Sequence, residues 1–133
     1  MLTAGDIMTD MVIRVKANLP IYKAVSLLAK NHISCLPVVD DEEYPIGIIN
    51  EKNLLMLING SREDENRTVG DFMDCEIASF DENTDLLCVC DYLVKSSYNA
   101  VPITSHGQLV GVVSIADVIE FIIQRELKRY YIY

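Results

Sequence analysis

A chain of 133 residues, half of them hydrophobic and with a net charge of −9, can bury one core or two small repeats that share one. That composition excludes a disordered chain. The acidic balance argues against nucleic acid as a direct partner, because a phosphate backbone is bound by a basic surface. No apolar run approaches the roughly 18 residues of a membrane span. The opening Met1-Leu2-Thr3-Ala4-Gly5-Asp6 lacks the basic and apolar regions of a signal peptide, so a cytoplasmic protein without membrane contact is expected.

The four cysteines fit that expectation. No Cys-x-x-Cys pair exists, Cys88 and Cys90 point to different faces of a predicted helix, and His32 and His106 lie in unrelated contexts. Buried free thiols at Cys35, Cys75, Cys88 and Cys90 are expected, with no metal site or redox pair.

In chain order, Asp6-Ile7-Met8 is followed by the β-rich run Val12-Ile13-Arg14-Val15, which predicts a strand. Asn18-Leu19-Pro20 predicts a helix start, with Asn18 as cap and Pro20 in the first turn. Ile21, Ala24, Val25 and Leu28 then recur at helical spacing as far as about His32. Leu36-Pro37-Val38-Val39 predicts a strand, with Pro37 suited to its start or to an edge. An acidic loop from Asp40 to Glu43 leads to a second strand at Ile46-Gly47-Ile48-Ile49, and a helix from about Glu51 to Asn59 ends at Gly60. Residues 60–67 are polar without periodicity and read as a linker.

The pattern then restarts. Asp71-Phe72-Met73 answers Asp6-Ile7-Met8 at an offset of 65 residues, and without a gap Asn18 meets Asn83, Leu28 meets Leu93, Lys30 meets Lys95 and Pro37 meets Pro102. After one residue is lost in a loop, Gly47 meets Gly111. Val12-Ile13 faces Ile77-Ala78, and His106-Gly107 forms the turn between the last two strands. The chain is thus a duplicated β-α-β-β-α unit, with repeats at 1–66 and 67–133, the second carrying a helical tail.

The most informative stretch is Gly111-Val112-Val113-Ser114-Ile115-Ala116-Asp117. A strand ending there delivers Ser114 and Asp117 to a helix start, where unpaired N–H groups and the dipole favour an anion. The pair reads either as a capping box or as a phosphate-binding hydroxyl with a carboxylate that accepts two ribose hydroxyls.

Asp-apolar-Met, strand, helix, apolar-Pro-Val, strand, Gly-x-x-Ser-x-x-Asp resembles the cystathionine-β-synthase (CBS) domain, and the tandem arrangement resembles a CBS pair, or Bateman module, from Leu2 to about Gln124. The resemblance implies an α/β fold of two CBS repeats related by pseudo-two-fold symmetry, with adenine nucleotides or related adenosyl compounds bound between repeats. It implies regulation of a partner protein, not yet identified, rather than catalysis. Carried over by position, Asp117 matches the ribose acid, Ser114 the phosphate contact, and Gly111 the glycine that lets the strand pass close to the ligand. Ile77 and Ala78 match the first-strand residues beside adenine, and Tyr98, Asn99 and Ala100 the segment that closes over the base. AMP, ADP or ATP are the implied ligands, with S-adenosylmethionine or NAD as alternatives. The first repeat departs from the pattern: Asn50 and Asn53 stand for the hydroxyl and the acid. That half-site reads either as a weaker site or as empty and structural.

Arg14 and Lys52 are candidates to reach a phosphate or are solvated surface residues, His32 suits a helix end, and Cys35 corresponds to Ala100. Leu54-Leu55-Met56-Leu57-Ile58 and Val118-Ile119-Glu120-Phe121-Ile122-Ile123 lack a polar stripe, which predicts a homodimer covering both helices. The basic, aromatic tail, residues 125–133, reads either as a helix extension that packs Leu127, Tyr130 and Tyr131 back on the module or as a docking element. A ligand-free dimerisation scaffold and a small enzyme are the rival functions; no nucleophile with a base beside it is evident.

Overall fold

Two four-residue helices open the two halves of the fold, and the same side-chain pair starts each. In a computed structural model, which describes residues 1–10, 12–59 and 66–131 and side chains as far as residue 129 (Met11 apart), α1 is Ala4–Ile7 and α3 is Val69–Phe72. The Thr3 N–H donates to Asp6 Oδ2 at 2.9 Å, and the Thr68 N–H donates to Asp71 Oδ2 at 2.9 Å. Each pair is a capping box that satisfies backbone groups the short helix leaves unpaired. Those backbone bonds also hold the carboxyls of Asp6 and Asp71 below the ordinary value of 3.8.

The chain packs as two compact units, which cut across the sequence repeats. One comprises Ile13–Ala78 with Gly107–Leu109; the other comprises Met1–Val12, Ser79–His106 and Val110–Tyr133. Each unit therefore holds an opening segment that precedes the other repeat's helix in sequence. In the second unit Leu86 N–H donates to the Leu2 carbonyl and Gly5 N–H to the Glu82 carbonyl. In the first, Ile21 N–H donates to the Arg67 carbonyl and Gly70 N–H to the Ala17 carbonyl.

In the unit built on Ile13–Ala78, α2 (Ile21–Asn31) packs on the antiparallel pair β1 (Cys35–Val39) and β2 (Pro45–Asn50), in register Leu36↔Ile49. Ile21, Ala24 and Leu28 recur at helical spacing and bury against Leu36, Val38, Ile49 and Val69. Pro20, not Asn18, is the residue before this helix, and no side chain caps it; the Arg67 carbonyl satisfies the first helical N–H instead. Residue His32 closes the helix in the left-handed conformation, φ 52°. A 3-10 helix, Glu51–Asn59, follows β2 where an α-helix is expected. Its three-residue turn puts Leu54 and Leu57 together on the core while Leu55, Met56 and Ile58 stay exposed. Gly60 and most of the expected linker, 60–65, lie outside the described residues.

No strand forms at Val12-Ile13-Arg14-Val15. Only Val15 bridges β1, donating to the Pro37 carbonyl and accepting from Val39 N–H. The next rung back needs an N–H at residue 37, and proline has none.

In the other unit, β3 (Phe80–Asp81), β4 (Ala100–Ser105) and β5 form a sheet in that order, with Phe80 opposite Ile103 and parallel to it; β5 runs Gln108–Ser114, its first two residues grouping with the other unit. The expected strand at Ile77-Ala78 is absent; β3 begins three residues after Ile77, at Phe80. Helix α4 (Leu86–Lys95) is capped by Asp85, whose Oδ1 accepts the Leu87 N–H at 3.0 Å, and it buries Leu86, Val89 and Leu93. Tyr92 meets Phe80 edge to face at 5.6 Å. The turn at His106 and Gly107 has positive φ at both residues, 52° and 81°, the pairing that suits a two-residue hairpin. Helix α5 runs unbroken from Ile115 to Tyr131, so the tail extends it, but Leu127 is 47% exposed rather than packed back. The side chains of Tyr130 and Tyr131, and residues Ile132 and Tyr133, lie outside the description.

The cysteines are all free, but Cys75 and Cys88 are exposed, contrary to the expectation of burial.

Candidate functional site

Where β5 passes into α5, the strand places Ser114 directly before the first helical turn. Ser114 N–H donates to Asp117 Oδ2 at 2.9 Å, and Asp117 N–H donates to Ser114 Oγ at 3.0 Å. This is the reciprocal capping box anticipated from the spacing. Its remaining capacity is chemical. Ser114 Oγ accepts one bond and still carries its own proton to donate. Asp117 receives a second bond from the Thr9 hydroxyl, at 3.3 Å on Oδ1. Each carboxylate oxygen has two acceptor positions, so both keep one available. Both residues are partly buried, and α5 starts there with its N–H groups facing outward along the axis. The arrangement can hold a diol on the carboxylate and an anion at the helix start.

Neighbouring backbone reinforces it. Asn99 is exposed, and its carbonyl accepts the Ile115 N–H at 2.9 Å, tying the segment before β4 to the helix start. Ala100 is buried at the head of β4, and Tyr98 is partly buried, its N–H donating to Ser96 Oγ at 2.9 Å. At Gly111, a Cβ would lie 2.5 Å from Met8 Sδ and 2.9 Å from the Thr9 carbonyl oxygen. The glycine therefore admits the opening segment of the chain, and this same approach brings Thr9 to Asp117. Ile77 and Ala78 end the other unit, partly buried and in irregular backbone.

The first repeat builds the same box from amides. Asn50 N–H donates to Asn53 Oδ1 at 2.8 Å, and Asn53 N–H donates to Asn50 Oδ1 at 3.1 Å. Asn53 Nδ2 then donates to Asp74 Oδ1 at 3.3 Å. Gly47 makes room for the segment, as a Cβ there would lie 2.7 Å from Met73 Sδ. Asp74 occupies in this unit the position Thr9 occupies in the other. Sequence reasoning missed Thr9 and Asp74; the signal was the paired exchange, Thr9 to Asp74 after each Asp-x-Met and Asp117 to Asn53 in each box.

Of the remaining candidates, Arg14 has structural partners. Arg14 Nη1 lies 3.0 Å from Glu43 Oε2, close enough for an ion pair though not aligned as a hydrogen bond, and donates to the Leu109 carbonyl at 3.3 Å. Lys52 is exposed. Cys35 is partly buried at the start of β1, and loss of solvent pushes its thiol up to about 11, with Glu51 adding to the shift. Among the described residues no three His, Cys, Asp or Glu side chains gather as a metal site, and no helix is long and apolar enough to cross a membrane.

Comparison with known proteins agrees with this reading of the fold. The CBS domain model matches residues 4–60 and 69–124. CBSX2 of Arabidopsis thaliana, solved in complex with AMP, superposes with a TM-score of 0.85 at 25% identity, over 95% of this chain and 99% of that one. The CBS domain pair of protein MJ0100 superposes with a TM-score of 0.81 at 21% identity, over 94% and 98%. Among curated relatives, protein MJ1225 of Methanocaldococcus jannaschii is 26% identical over 117 residues, 88% of this chain but 41% of that protein. The chain also spans 64% of the chloroplastic CBSX1 of Arabidopsis thaliana at 27% identity. With both repeats matched and a pair of such repeats superposing end to end, the chain belongs to the CBS domain family as a tandem pair.

Proposed function

We propose that this chain is a regulatory module that binds an adenine nucleotide and transmits its bound state to a partner protein. The observation that carries this reading is Asp117: a carboxylate held by two donors, with an acceptor position left on each oxygen, one turn inside a helix whose start carries the Ser114 hydroxyl. A cis-diol and a phosphate attached to it fit that pairing. The AMP bound to CBSX2, which shares the fold at 25% identity, supports adenosine monophosphate as the first ligand to try. In this reading Asp117 holds the ribose, Ser114 the phosphate, and Gly111 the close approach of the strand. Ile77, Ala78, Tyr98, Asn99 and Ala100 flank the base. The repeats at 1–66 and 67–133 contribute one strong site per chain, in the second repeat, because Asn53 offers no charged acceptor. ADP, ATP, S-adenosylmethionine and NAD belong in the same ligand panel.

The module acts as a homodimer in this proposal, covered along the exposed apolar faces of the 3-10 helix and α5. No catalytic step is assigned to it.

Titration calorimetry with AMP tests the ligand. One equivalent per chain is expected. Asp117→Ala should weaken binding by about 10- to 100-fold, as befits losing hydrogen bonds to a charged group worth roughly 1.5–3 kcal/mol. Unchanged affinity in a folded Asp117→Ala protein would remove the assignment.

A further inference from the structure

The two boxes differ in more than strength. In one, a hydroxyl donates to an acid: Thr9 Oγ1 to Asp117 Oδ1, 3.3 Å. In the other, an amide donates to an acid: Asn53 Nδ2 to Asp74 Oδ1, 3.3 Å. The acid has changed sides while the bond between the two positions has been kept. We propose that Thr9 and Asp74 are positioning residues that set the polarity of the box each one faces, so that Asn53 is present because Asp74 is, and Asp117 is oriented because Thr9 holds it.

Three observations converge on this. First, the opening segment approaches the box in the same way in both units, through Met8 against Gly111 and Met73 against Gly47. Second, that approach is fixed by backbone bonds on either side of the contact. Thr9 N–H donates to the Val112 carbonyl and Val112 N–H to the Thr9 carbonyl; Asp74 and Ile48 exchange the same two bonds, at 2.9 and 3.0 Å. These bonds hold the backbone of residues 9 and 74 beside the strand that leads into each box. Third, the backbone bonds inside each box survive the change from acid to amide, since Asn53 Oδ1 accepts the Asn50 N–H just as Asp117 Oδ2 accepts the Ser114 N–H. Only the outward-facing atom of residue 53 changes character, and it is the atom that meets Asp74. An aspartate at 53 would set a carboxylate oxygen where Nδ2 now lies, against Asp74 at hydrogen-bond distance, and two like charges there repel.

The consequence for function rests on the proposed reading of Asp117 as the hydroxyl acceptor. The second repeat presents an acid whose charge faces a ligand. The first presents an amide whose oxygen and one N–H are already engaged. The asymmetry between half-sites is then a property of two residue pairs, 9 with 117 and 74 with 53, and not of the boxes alone.

Thermal melts of the ligand-free full chain at pH 8 test the pairing directly. Asn53→Asp should lower Tm by about 3–6 °C. Asn53→Asp combined with Asp74→Thr, which transplants the other unit's pair, should recover most of that loss. A single variant melting with wild type, or a double variant no more stable than Asn53→Asp, overturns the proposal. Calorimetry with AMP tests the consequence: Thr9→Val should weaken binding several-fold and Thr9→Ser should restore it. If Asp117→Ala loses AMP while Thr9→Val binds as wild type, the positioning role of Thr9 falls and the nucleotide reading stands. If Asp117→Ala itself binds as wild type, the nucleotide reading falls, and the melts still decide the pairing.

Discussion

Single residues in this fold divide into those whose partner is near in sequence and those whose partner is far. Ser114 and Asp117 are three apart, and their box was legible because a helix start needs an acceptor for its free N–H groups at that spacing. Thr9 was not legible, because it lies 108 residues from the carboxylate it holds, and nothing local to either residue announces the other. The same holds for Arg14: its position as a candidate phosphate ligand was readable, but its ion pair with Glu43 depends on a left-handed residue in a loop, φ 70°. Ser114→Ala should cost about 1 kcal/mol of stability, the usual loss of a helix cap, measured by urea unfolding. Ser114→Asn should keep most of it, as Asn50 shows that an amide closes the same box. Gly107→Ala should cost about 1 kcal/mol or more, because φ is 81° and the added methyl would lie 2.8 Å from the Tyr44 ring. A Gly107→Ala protein as stable as wild type would show that the turn relaxes freely.

Elements were legible where periodicity and burial agree. Helix α2 shows its apolar face at Ile21, Ala24 and Leu28, and β1 and β2 show continuous apolar runs. The run Val12-Ile13-Arg14-Val15 has the composition of a strand but makes one bridge, because strand formation depends on donors in the partner as well as on its own side chains. Pro37 withholds the donor that the Ile13 carbonyl needs. Pro37→Ala supplies it, so the new amide at residue 37 should be protected from hydrogen exchange; an amide that exchanges as fast as an exposed loop would refute this account. The opening boxes give the elements a pH dependence. The Asp6 and Asp71 carboxyls are lowered by the N–H groups of Thr3 and Thr68, so the stability they contribute is present above the unfolded value of 3.8 and is lost as pH falls through the folded value. Melting the wild type and an Asp6→Ala, Asp71→Ala protein between pH 6 and pH 3 should show the two curves converging at the acid end. Curves that stay parallel would mean that neither box contributes.

At the scale of the whole chain, the duplication was plain in the sequence, but the exchange of opening segments was not. A registered repeat shows that two segments are alike; which copy each one packs with is a matter of three-dimensional connection. What the repeat did foretell is the shortage of polar surface on the helices that follow each box. In the 3-10 helix, Leu55, Met56 and Ile58 are 69%, 71% and 89% exposed. In α5, Ile115, Ile119, Ile123 and Leu127 recur every four residues, with Ile122 beside them, and all are at least 37% exposed. A stripe of that length, carried into the tail, is apolar surface of the kind that subunit interfaces cover. Phe121 is a poor probe of it, since it is partly buried, with the Arg125 guanidinium 5.7 Å from its ring. Ile122, at 43% exposed, is the better one. Light scattering at micromolar concentration should give twice the 15.0 kDa chain mass for wild type and the chain mass itself for Ile122→Glu combined with Ile58→Glu, with the circular dichroism of both unchanged. A dimer that survives both charges places the interface elsewhere, and a wild-type monomer removes the homodimer altogether. Truncation after Leu127 separates the tail from the stripe: if 128–133 only extend the helix, the dimer persists, and if they complete the interface, it weakens while AMP binding holds.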